Sequence, residues 1–322
     1  MPVTLTGGAV ITGGMQVTEG GSPSPSPGGG GFQGSNFGYN SGGYTGSDVT
    51  NVIQKYSFTS DANATDVGDL TIARSQMAGQ SSSTSGYSSG GEAPPNPLQN
   101  TIDKFAFATD GNATDVGDLT ASIWGNAGQS SSANGYSVGD RQTTRTDIDK
   151  FPFASDSNAT DIGDQSVARY GPAGQSSSDN GYSSGGRLAP GDMSNVIDKF
   201  PFASDSNATD VGDLTGEAWF GAGQSSTVSG YRSGGFGNGF AYQNVIDKFP
   251  FSSDSNATDV GDLTATTAAG SGTSSTASGY TAGGLTPTRV DVIEKFSFSS
   301  DGNGTDVGDI LSVLAASAGQ QY

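Results

Sequence analysis

The chain has 322 residues, a formal net charge of −19, 52 glycines and only 32% hydrophobic residues. Without a single cysteine or histidine, it can form no disulfide, thiol nucleophile, Ser-His-Asp machinery or ordinary zinc or copper site, which leaves oxygen-ligated ions such as calcium. The charge disfavours nucleic acid and anionic membranes as partners, and no apolar run reaches the length of a membrane span.

Residues 1–31 differ from the rest. Val3, Leu5, Val10, Ile11 and Val17 are spaced among threonines and Gly-Gly pairs, and a Ser-Pro run and four glycines follow. The stretch has neither a basic nor an apolar region of the kind that begins a signal peptide. Two of its pieces alternate like half-buried strands, too short to fold alone. The Ser-Pro run is semi-rigid and the Gly run a swivel. This predicts an arm whose strand-forming tip adds to the sheet of a partner.

From residue 32 to 322 the chain is built on one stretch, written most fully from Lys199 to Thr215: KFPFASDSNATDVGDLT. Copies begin at Lys55, Lys104, Lys150, Lys199, Lys248 and Lys295, at intervals of 46 to 49 residues. The Lys, the second aromatic and the Asp, Asn, Thr, Asp, Gly and Asp of the loop are the same residue in every copy. A period in this range denotes a repeat architecture and overrides local guesses. It also argues against disorder, since Gly recurs at fixed places.

Each unit predicts four short strands. In the fourth unit they lie around residues 174–178, at a segment ending in 182–186, at 196–202 and from near 210. No window shows a helical period until residues 310–316, and that piece occupies a fourth-strand position, so strand or irregular structure is expected there. Four strands repeated six times predict an all-β, six-bladed β-propeller with an extended N-terminal arm. The chain ends in Ala-Gly-Gln-Gln-Tyr, the start of a further unit, so either these last residues or residues 31–35 are expected to complete the first blade.

The motif Gly-Tyr-x-Ser-Gly-Gly, a loop, Asn-Val-Ile-Asp-Lys-Phe and then Leu-Thr-x-Ala-Arg resembles the kelch repeat. Double glycines stand at 42–43, 90–91, 185–186, 234–235 and 283–284; Gly139-Asp140 is the exception. Arg74 and Arg169 occupy the place of that family's arginine, and its fourth-strand tryptophan is missing. In style the chain also resembles virion structural proteins of bacteriophages.

The Asp-rich loop allows two readings. Asp205, Asn207, Thr209 and Asp213 are similar to the calcium loops of integrin-type propellers at several positions, with Thr in place of one Asp and Asp in place of the turn Gly. The equivalents are Asp61, Asn63 and Asp69; Asp110, Asn112 and Asp118; Asp156, Asn158 and Asp164; Asp254, Asn256 and Asp262; and Asp301, Asn303 and Asp309. Three like charges in nine residues call for neutralisation, and calcium would supply it. In the other reading Asp and Asn cap turns, and each Lys pairs with a carboxylate of its own or the next blade. A Lys on a blade surface packed against its neighbour would be buried, and losing its partner would then cost about 3–5 kcal/mol.

Nothing in the sequence reads as catalytic, because the acidic residues recur in every unit whereas catalysis needs one asymmetric site. The variable segments are 92–100, 141–147, 187–194, 236–243 and 285–291. They share one rim, and Phe236, Phe240 and Tyr242 are candidate recognition residues that could stack on sugars or proteins. The expectation is a non-enzymatic structural or attachment protein of a virion or extracellular assembly. The arm would anchor it to other structural proteins or to copies of itself, and the propeller would face outward, with cell-surface glycans as possible ligands. A homopolymeric fibre subunit and a secreted carbohydrate-binding lectin are the alternatives.

Overall fold

A computed structural model describes residues 34–141, 145–188 and 191–322. The predicted arm residues Val3, Leu5, Val10, Ile11 and Val17 lie outside them. The described chain is a six-bladed β-propeller of four-stranded antiparallel sheets. In the fourth blade the strands are Ala173–Ser176, Asn180–Ser184, Val196–Pro201 and Thr209–Asp213, from the axis outward. The predicted strands were placed correctly, one or two residues too long. Residues 310–316 are irregular, with one isolated bridge at Ala315, because they serve as the connection between two blades.

The ring is closed by the C-terminus. Ala318–Gln321 forms the innermost strand of the first blade, against Phe37–Tyr44. Gly34 does not take that slot; it bridges to Ser275 of the sixth blade.

At the axis the blades touch through backbone. The second residue of each inner strand is Gly79, Gly128, Gly174, Gly223, Gly272 or Gly319, and a Cβ on any of them would collide with the neighbouring glycine's carbonyl oxygen. These six glycines line both axial vestibules, of about 120 and 60 Å³, and so form the waist between them. On one side of the waist, Gln76, Gly125, Gly171, Phe220, Ala269 and Ala316 form a closed ring of N–H···O=C bonds of 2.6–2.8 Å. The four non-glycine members have φ between 52 and 58°. L-residues adopt this left-handed conformation at a cost, which the ring of bonds offsets. On the other side, each inner strand donates a backbone N–H to the next blade's side chain, through Ser81, Ser130, Ser176, Ser225, Ser274 and Gln321, at 2.8–3.0 Å.

Farther out the blades touch through aromatic rings. The second-strand Tyr39, Tyr87, Tyr136, Tyr182, Tyr231 and Tyr280 pack on Phe107, Phe153, Phe202, Phe251, Phe298 and Phe58 of the following blade, with centroids 4.6–4.9 Å apart. This explains why the second aromatic of the repeat never changes. Such contacts contribute about 0.5–1.5 kcal/mol each beyond the area they bury.

These six phenols and that of Tyr56 are held above their ordinary range by burial, Tyr182 at about 12. Unfolding would let them ionise from pH 10 upward. Folded-state values above the unfolded ones mean stability is lost as pH rises, by about 1.4 kcal/mol per pH unit for each phenol that stays protonated in the fold. The phenolate absorbance of these seven of the eleven tyrosines is therefore expected to appear together with loss of the β-sheet circular dichroism above about pH 10. A smooth titration of all eleven with unchanged dichroism would contradict this.

Candidate functional site

The repeated loop is a clasp between blades. Lys55, Lys104, Lys150, Lys199, Lys248 and Lys295 pair with Asp110, Asp156, Asp205, Asp254, Asp301 and Asp61, each in the next blade around the closed ring. Asn63, Asn112, Asn158, Asn207, Asn256 and Asn303 each accept, at 3.1–3.2 Å, the backbone N–H of the last Asp of the preceding blade: Asp309, Asp69, Asp118, Asp164, Asp213 and Asp262. The residue after each Asn donates its own N–H to that Asp's carbonyl at 2.7–2.8 Å. The Asp preceding the invariant Gly accepts that glycine's N–H, as Asp210 does from Gly212 at 3.1 Å. Gly212 has φ 154° at a bulge, and a Cβ there would press on the Ser255 carbonyl.

This geometry corrects one expectation and redirects another. The lysines are 19–30% exposed and their Asp partners 54–58%. They are surface pairs worth about 0–1 kcal/mol, not buried charges; the Lys reaches an exposed Asp of the next blade instead of being sealed in the packed face. Two of the side-chain oxygens read as calcium ligands are engaged with neighbouring blades. Asp205 takes Lys150, Asn207 takes the Asp164 amide, Thr209 sits opposite Lys199 in the ladder, and Asp213 engages Asn256 through its backbone. Among the described residues no three acidic side chains are grouped to hold a metal.

A second clasp is buried. The third-strand Asp103, Asp149 and Asp198 receive the backbone N–H and hydroxyl of Thr71, Thr120 and Ser166; Glu294 does the same for Thr264, and Asp247 accepts the Thr215 hydroxyl. In the first blade Gln54 accepts the Leu311 N–H. Fully buried guanidinium groups complete three of these sites: Arg74 on Asp103 at 3.3 Å, Arg169 on Asp198 at 2.9 Å and Arg232 on Asp247 at 2.5 Å. Arg232 reaches the site from the second strand instead of the connection, so the kelch-like spacing did not reveal it. Burial holds Asp149 and Glu294 above the ordinary carboxylate range, against the pull of their Thr donors.

The blades differ most on one face. The loops between second and third strands and the connections between blades share one face, where paired residues crown the channel mouth. The pairs are Tyr44 with Ala315, Ser75 with Glu92, Trp124 with Arg141, Tyr170 with Arg187, Trp219 with Phe236, and Ala268 with Leu285. The backbone pairing is common to all six; the side chains are not. Three consecutive blades carry an aromatic–arginine ladder. Arg141 lies 4.1 Å from the Trp124 ring centre and 6.0 Å from that of Tyr170, and Arg187 lies 6.0, 5.1 and 4.8 Å from Tyr170, Trp219 and Phe240. Arg187 also donates to the Tyr170 hydroxyl at 2.9 Å.

Where the crown has Ser75, Ala268 and Ala315 instead of rings, space opens. A cavity of about 460 Å³ is walled by Trp219, Phe220 and Phe236 on one side and by Tyr44, Glu92 and Arg289 on another. Arg289 lies over the Tyr44 ring at 4.4 Å. Of the predicted rim residues, Phe236 lines this cavity and packs on Trp219 and Tyr242, while Phe240, 49% exposed, meets Trp219 edge-on from outside the lining. Trp124, Tyr170 and Trp219 escaped sequence reasoning because they sit in the connections, outside any repeated motif. Aligning the residue two places before each Ala-Gly or Ser-Gly of the inner strands, and its neighbour, would have exposed them.

Compared with known proteins, the chain matches no family model, and no curated protein matches it.

Proposed function

We propose that this is a non-enzymatic attachment protein: a rigid ring that presents the crown to a partner, with residues 1–31 as the tether to a larger assembly. The observation that carries the reading is the division of labour among the repeats. Residues identical in every blade are spent on clasps, and the crown, where the blades differ most, surrounds a cavity of a size suited to a ligand. The crown cavity contains one carboxylate, Glu92, where glycoside hydrolysis ordinarily uses a pair. The resemblance to kelch repeats and to phage structural proteins supports a virion component as the setting.

Electron microscopy of the full-length protein beside a chain starting at Phe32 tests the tether. Filaments or particle decoration by the full-length chain, with single rings from the shorter one, is the expected result. Filaments of the protein alone would favour the fibre form of the same reading. Identical isolated rings from both would contradict the tether.

A further inference from the structure

Resting on that attachment reading, we propose that the crown binds an acidic oligosaccharide, with sugar faces stacked on its aromatic rings and sugar carboxylates or sulfates held by Arg141, Arg187 and Arg289. The first support is charge. In a chain of net charge −19, these three arginines stand on one face, Arg289 in the cavity wall and Arg187 5.1 Å from the Trp219 ring of that wall, with Arg141 next along the ladder. The arginine ion pairs among the described residues belong instead to Arg74, Arg145, Arg169 and Arg232.

The second support is how the guanidinium groups are held. Arg141 is stacked on Trp124 and Arg289 on Tyr44. Stacking uses the face of the planar group and leaves edge N–H donors for an oxyanion, the Nη groups in the case of Arg289, whose Nε donates to the Tyr44 carbonyl at 3.1 Å. Rings beside fixed donors suit a pyranose, which presents an apolar face and a polar edge.

The third support excludes competitors. An extended peptide binds by adding to a free backbone edge, but the crown's main chain is already bridged pair by pair and the ring beneath it is closed. A densely charged polyanion would be repelled by the acidic body. An oligosaccharide with roughly one anion per sugar needs neither a free edge nor strong neutralisation.

An array of uronic-acid, sialylated, sulfated and neutral oligosaccharides, probed with the full-length protein, tests this. Acidic members are expected to be retained, with neutral members of the same backbone at least about 10-fold weaker. Arg141→Gln and Arg187→Gln are each expected to weaken retention at least about 10-fold with the melting temperature unchanged. Arg141 is exposed, so its variant keeps the test decisive should the Arg187 variant fold poorly. Failure to retain any acidic glycan, equal retention of neutral ones, indifference to both substitutions, or capture of acidic peptides alone on a parallel array would each overturn the proposal. The two tests fail separately: assembly without glycan binding removes only this ligand, and glycan binding without assembly removes only the tether.

Discussion

Gly223→Ala should cost about 3 kcal/mol or more, since overpacking against rigid backbone has no cheap relief, and lower the melting temperature by about 6–12 °C. A Cβ at this position falls inside the van der Waals shell of the Gly174 carbonyl oxygen and 2.9 Å from the Gly174 nitrogen. Neither blade can retreat. Gly174 is itself seated against Gly128, and the same contact runs through all six blades back to Gly223. Widening the waist by one methyl would stretch the ring of N–H···O=C bonds beside it, from Gln76 round to Ala316. Gly302→Ala is the control: it has no atom within 4 Å of the added carbon, and surface changes of this kind stay within about 0.5 kcal/mol. Calorimetry of the two variants with the parent chain checks the expectation. Equal melting for both variants would mean that the inner strands are not in closed contact.

Asp198→Ala is expected to destabilise the protein by about 3–5 kcal/mol, because it strands a charge in a dry interior. Arg169 is fully buried, and its Nη2 bonds Asp198 at 2.9 Å and the Ser183 carbonyl at 2.9 Å. The same substitution frees the amide and hydroxyl of Ser166, which tie the connection from the third blade to the fourth. Adding Arg169→Met should recover part of the loss, since removing both charges leaves no unpaired ion. Lys199→Met should change stability by no more than about 1 kcal/mol, because its pair with Asp254 faces water. Denaturant titrations of these variants report both effects. A large loss for Lys199→Met with little for Asp198→Ala would reverse the assignment of which clasp holds the ring.

Much of the ring was legible in the sequence because the repeat is so regular. The invariant Lys, Phe, Asn and Gly each marked a contact that every blade must make, and four strands per period followed from their spacing. Sequence could not say where each contact lands. Asn207 reads as a local turn residue, yet its partner is the Asp164 amide in the preceding blade; only the angle between blades makes those atoms neighbours. Lys199 looked buried because alternation put it on a packed face, but its four-carbon stem carries the charge out to the exposed Asp254 of the next blade. At the proposed recognition site the loops, Phe236, Phe240 and Tyr242 were visible as departures from the repeat. Trp124, Tyr170 and Trp219 were not, because their positions carry small residues in the other blades and no motif marks them.

The Asp-rich loops clasp neighbouring blades, and the crown is the proposed place of recognition. Hydrogen exchange of the full-length chain, followed by mass spectrometry with added calcium and with a chelator, tests the clasp most directly. The amides of Asp69, Asp118, Asp164, Asp213, Asp262 and Asp309 bond to Asn side chains of the next blade. They are predicted to exchange slowly, like strand amides, although they lie at the surface, and to do so equally in both conditions. Fast exchange in chelator that slows when calcium is added would contradict the account and make the loops ion sites.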